Sequence, residues 1–176
     1  MKSCFSIGHR EASSEILPAL RDIVEQHIVE YGVTEYIAGH YGGFDRMAAK
    51  AVFTAKERHP EITLSMLIPY HPAERPVKLP SGFDNTFYPL GIEKVPRRLA
   101  IVRANRYVID HMDYLIAYVW HPASNARNLL EYARKRKRKN LLVIANMVLY
   151  IHKHCLPVSF LYFSDTLSFS FPKPLY

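Results

Sequence analysis

Five short apolar runs, separated for the most part by stretches with helical periodicity, constrain this chain more than any other feature. The runs are Ser3–Ile7, Glu35–Ala38, Ile62–Ile68, Tyr114–Val119 and Leu141–Ala145. Between the first two, Ile16, Leu20, Ile23, Val24, Ile28 and Tyr31 recur at three- and four-residue spacing, which predicts an amphipathic helix. Ser13 or Ser14 can cap its start, Pro18 suits its first turn, and Gly32 follows its end. Further helices are predicted over about 45–58, with Met47, Ala48, Ala51, Val52 and Ala55 on one face, and over about 96–111 and 126–137. Strands alternating with helices imply right-handed βαβ units and a mainly parallel sheet. The fold class expected is therefore α/β, a Rossmann-like three-layer arrangement.

The 176 residues fit a single ordinary domain, and 49% hydrophobic with 22% charged residues calls for a packed core rather than disorder. We read residues 1–146 as that domain and 147–176 as an apolar C-terminal extension. Within the extension, Val158–Phe163 and Thr166–Phe171 have the pattern of two strands that would add to a sheet edge or contact a second subunit of a homo-oligomer. Two cysteines, Cys4 and Cys155, cannot form a disulfide framework, and charge arrives too early in Met1–Glu11 for a signal peptide, so a cytoplasmic location is expected. The longest apolar stretch, 141–151, is about half a membrane span, so no membrane partner is expected. His152 and His154 could share a strand face but have no third ligand at suitable spacing, so no metal is expected.

The net charge of +7 points to an anionic partner, yet Arg134–Lys139 contribute six consecutive positive charges, and the remainder is close to neutral at +1. That run falls at the end of a predicted helix, where cations complement the dipole; nucleic-acid binding is the alternative reading.

Ligands of parallel sheets bind beyond the carboxyl ends of the strands, which directs attention to four loops: Gly8-His9-Arg10, Gly39–Phe44, Tyr70–Val95 and Trp120–Asn125. The second is the most distinctive. Glu35-Tyr-Ile-Ala-Gly39-His-Tyr-Gly42-Gly43-Phe-Asp45 is a strand, a glycine-rich turn and a helix start in succession. Glycines allow backbone N–H groups to approach an anion, and the helix start adds a favourable dipole. Asp45 would repel a phosphate there and suits a ribose hydroxyl better; otherwise the turn is only a tight connection and Asp45 only complements the helix dipole. The Gly-Lys-Ser/Thr of a P-loop is missing, as is a first-strand GxGxxG, so ordinary NTPase or dehydrogenase chemistry is not expected.

Four ordered segments, Cys4–Arg10, Gly39–Asp45, Ile68–Pro76 and Asp113–Val119, resemble the YpsA-like branch of the SLOG superfamily. That superfamily joins Smf/DprA DNA-processing proteins with LOG (lonely guy) phosphoribohydrolases, and the resemblance extends over about residues 3–146. It implies a Rossmann-like fold whose loops bind a nucleotide or nucleotide-derived small molecule, as a sensor or sequestering protein. The ligand-binding residues implied are Gly8, Arg10, Gly39, Gly42, Gly43, Asp45, Arg103, Asn105 and Arg106. No cofactor is implied. A LOG-like hydrolysis of nucleoside monophosphates would need a carboxylate at the sugar and a cation at the phosphate, for which Glu131 with Arg103 or Arg106 are the candidates. The second LOG motif, a Pro-Gly-Gly-x-Gly-Thr-x-x-Glu stretch, is reduced here to Pro122 and Glu131 in a segment without glycine. A DprA-like nucleic-acid-binding module is the other alternative the resemblance implies.

Overall fold

The computed structural model describes residues 1–136 and the backbone of the strand Leu142–Ile144. The strands are β1 (Lys2–Gly8), β2 (Val33–Ala38), β3 (Thr63–Leu67), β4 (Asn85–Phe87), β5 (Tyr114–Tyr118) and β6 (Leu142–Ile144). The helices are α1 (Leu17–Val29), α2 (Gly43–Ala55), α3 (Arg97–His111) and α4 (Asn125–Lys135). Every strand and helix expected between residues 1 and 146 is present, with ends shifted by a few residues. The expected strands within 147–176 lie outside the described residues.

All strand pairs are parallel, in the order β4-β3-β2-β1-β5-β6. The chain winds outward from β1 through β2 and β3, then returns to the other side of β1 to place β5 and β6. With crossovers of one hand, reversing the winding direction moves the helices to the opposite face. Accordingly α1 and α2 pack on one face over Cys4, Tyr36, Leu64 and Ile116, and α3 and α4 on the other over Phe5, Ile37, Leu67 and Leu115. The result is an α/β fold with a Rossmann-like three-layer arrangement.

Local sequence explains each helix. A single 3-10 turn, Ser14–Ile16, leads into α1, and the Ser13 hydroxyl accepts from the Glu15 amide at 3.3 Å. Pro18 occupies the first turn of α1, and Gly32 ends it with φ 66°, a left-handed conformation that glycine adopts without a steric penalty. α2 faces the sheet with Ala48, Ala51, Val52 and Ala55, and its small side chains let it lie close to both β1 and β2. Helix α4 is capped by the Ser124 hydroxyl, which accepts from the Arg127 amide at 3.1 Å, and buries Ala126, Leu129, Leu130 and Ala133.

The segment expected to be a long loop over 70–95 contains β4 and a 3-10 turn at Ile92–Lys94. Asp84 anchors it: its carboxylate accepts from the Leu64 amide at 2.7 Å and pairs with Lys56. Phe83 then packs against the α1/α2 core, while Phe87 and Tyr88 pack against the α3/α4 core. Asn-Thr-Phe is short and mostly polar, as an edge strand can be, so it has no hydrophobic alternation to betray it.

Candidate functional site

Strand order reverses at β1, whose two neighbours, β2 and β5, are reached by opposite windings. Beyond the carboxyl ends of these strands opens a cleft of about 420 Å³. Its walls come from the loop after β1 (Gly8–Glu11), the turn after β2 (Gly39, Tyr41, Gly42 and Asp45), the middle of α3 (Ile101, Ala104, Asn105) and the start of α4 (Ser124–Ala126, Leu129). Such a crevice, at the point where an open parallel sheet changes winding direction, is where α/β folds bind ligands.

The turn after β2 is closed on itself. The Asp45 carboxylate folds back and accepts from the amides of Tyr41 at 3.2 Å and Gly42 at 3.1 Å. The next two amides are also taken: Gly43 donates to the Arg10 carbonyl at 2.8 Å and Phe44 to the His9 carbonyl at 3.3 Å. The sequence leads one to expect bare amides here, ready for a phosphate; the structure corrects that, because the chain supplies its own acceptors. The glycines serve close packing instead. A Cβ on Gly39 would lie 2.6 Å from the Asp45 carboxylate, one on Gly43 2.5 Å from the Arg10 carbonyl, and one on Gly8 2.3 Å from the Phe44 ring. Burial raises the Asp45 pKa, opposed by the amides of Gly42 and Tyr41 and by the charges of His40 and Arg46.

His9 joins the other side of the cleft. It is 7% exposed, and its Nε2 accepts from the amides of Trp120 at 2.9 Å and His121 at 3.1 Å. An accepting Nε2 requires the neutral ring with its proton on Nδ1. Burial lowers the His9 pKa, the neighbouring His121 lowers it further, and Glu11 pulls weakly upward. The His9 ring also lies 5.1 Å from Trp120 and 6.3 Å from Tyr118, centroid to centroid. This one residue thus links the ends of β1 and β5 with its side chain and the start of α2 with its carbonyl.

Of the residues anticipated from sequence, Gly8, Arg10, Gly39, Gly42, Asp45 and Asn105 line the cleft. Asn105 donates through Nδ2 to the Ile101 carbonyl at 2.9 Å. Gly43 lies behind, against Arg10. Arg103 and Arg106 are not among the lining residues. Arg103 is exposed, and the Arg106 guanidinium sits 4.8 Å from the Tyr132 ring centroid, between α3 and α4. Glu131 is not brought together with Arg103 or the cleft: it pairs along α4 with Arg127 at 3.0 Å and Arg134 at 3.3 Å. The carboxylates that do line the cleft are Glu11 and Asp45.

The loops named from sequence contain His9, Tyr41, Ser124 and Asn125 without singling them out as ligand-binding residues, and Glu11 lies just outside them. His9 and Glu11 flank Arg10, so position after the first strand was a usable signal. Nothing local marks His9 as the partner of amides 111 and 112 residues away. Of the basic run, Arg134 and Lys135 are exposed at the end of α4, and Arg136 pairs with Asp110 at 3.0 Å; residues 137–139 lie outside the described residues. Among the described residues no helix is long and apolar enough to cross a membrane, and no three His, Cys, Asp or Glu side chains are grouped to hold a metal. Cys4 is buried in the core, and burial raises its thiol pKa above the ordinary value.

No protein-family model matches the sequence, and no curated protein matches it.

Proposed function

We propose that this protein binds a nucleotide or nucleotide-derived small molecule in the cleft beyond β1, β2 and β5, as a sensor or sequestering protein. The observation that carries this reading is the cleft itself: about 420 Å³, at the reversal of strand order, with a cation, carboxylates and a helix start converging on it. The volume falls within the range of small-molecule sites. Because the amides after β2 are occupied, the anion is better accommodated across the cleft. There Arg10 and the first turn of α4 both line the cleft, and the helix start favours negative charge even though Ser124 accepts from the Arg127 amide. Asp45, held in the turn, has a second oxygen for a sugar hydroxyl, and Tyr41 offers a half-buried ring to a base.

Mass spectrometry of small molecules released from denatured protein, followed by calorimetric titration of the compounds found, tests this directly. Arg10→Ala should weaken nucleotide binding by about tenfold or more, the scale of one charge-assisted hydrogen bond, without loss of fold. Unchanged affinity in Arg10→Ala, or no binding across the common nucleoside mono- and diphosphates, would count against it.

A further inference from the structure

A second cleft of about 450 Å³ adjoins the first. Pro69 lines both, and successive residues of α3 divide between them, Ala100 to the second and Ile101 to the first. We infer that the ligand has two ringed parts, a nucleotide in the first cleft joined through its phosphates to a neutral polyhydroxylated ring in the second, as in a nucleoside diphosphate sugar. This rests on the nucleotide reading of the first cleft.

The chemistry of the second cleft selects that class. Tyr70 and Tyr88 are half-buried and line this cleft together with Ile92, Val95 and Ala100. His71 meets Tyr88 edge-on with centroids 5.4 Å apart. Aromatic faces of this kind cover the C–H face of a sugar. Glu74 and Glu93 supply carboxylate acceptors for its hydroxyls. Glu74 is paired with Arg97 at 3.9 Å, and Arg75 sits 5.4 Å over the Tyr70 ring beside the cleft. Arg10 in the first cleft and Arg97 in the second, with Arg75 beside the second over Tyr70, are the cations available to a diphosphate that joins the two parts.

Calorimetric titration with ADP against ADP-glucose, and UDP against UDP-glucose, tests the inference. At least one sugar nucleotide should bind about tenfold or more tightly than its parent diphosphate. Tyr88→Ala and, independently, Glu93→Gln should erase that difference while leaving diphosphate affinity unchanged. Glu93 is exposed, so its variant is read on a folded protein. Equal affinity for diphosphate and sugar nucleotide overturns the second cleft's role while leaving nucleotide binding intact. Absence of binding by all four compounds overturns the nucleotide reading and this inference with it.

Discussion

A proton on Nε2 of His9 would point at two amide hydrogens that now donate to that nitrogen, and both bonds would be lost. Because the folded-state pKa is the lower one, the contribution of neutral His9 to stability is present above the unfolded value of about 6.5 and is lost as pH falls below it. The groups that set this balance are His121 and Glu11, with the rings of Tyr118 and Trp120 forming the apolar wall. Each lost bond is worth about 1 kcal/mol. Urea titrations between pH 8 and pH 5 should show wild-type stability falling on the acid side. His9→Gln, which retains an acceptor but does not titrate, should show a flatter profile. Parallel profiles for the two proteins would remove His9 as the group responsible.

At the scale of elements, α2 and α4 both begin at the cleft but end their chains of hydrogen bonds differently. α2 satisfies its entry with Asp45 and with the carbonyls after β1, so its N-terminus is spent on the fold. α4 has only the Ser124 cap, whose hydroxyl accepts from Arg127 and donates to the His121 carbonyl at 2.9 Å. Removing that cap in Ser124→Ala should cost about 1 kcal/mol of unfolding free energy and loosen the wall of the cleft. Glu131→Gln, further along the same helix, breaks only half-exposed ion pairs and should change stability by less than about 0.5 kcal/mol. Denaturant midpoints measure both. A loss from Glu131→Gln equal to that from Ser124→Ala would mean that the α4 ion pairs hold the helix as strongly as its cap does.

On the scale of the whole molecule, two cores share one sheet. Phe44 belongs to the first: fully buried, it covers Gly8 and stacks on Tyr118 with centroids 5.7 Å apart. Leu115 belongs to the second, on the opposite face of β5. Because alternate residues of β1 and β5 serve opposite faces, neither core can dissolve without disturbing the strands of the other. Phe44→Ala and Leu115→Ala should each cost about 3–5 kcal/mol and lower a single cooperative transition. Circular dichroism and the fluorescence of Trp120, the chain's one tryptophan, should report the same midpoint in each variant. Divergent midpoints would show layers that unfold separately.

The order of strands and helices was readable in the chain because apolar periodicity is a local property, and Ile16–Tyr31 or Cys4–Ile7 carry it without reference to anything distant. The same is true of the expectation that loops after the strands form a site, since parallel topology sends them to one edge. What only the tertiary structure decided is where each donor is used. The glycine-rich turn looks like an open set of amides in sequence; in three dimensions Asp45, His9 and Arg10 fill them. Glu131 looks like a partner for Arg103 until helix phase turns it toward Arg127 and Arg134. Hydrogen-bond satisfaction depends on groups far apart along the chain, and so it is settled by packing rather than by local pattern.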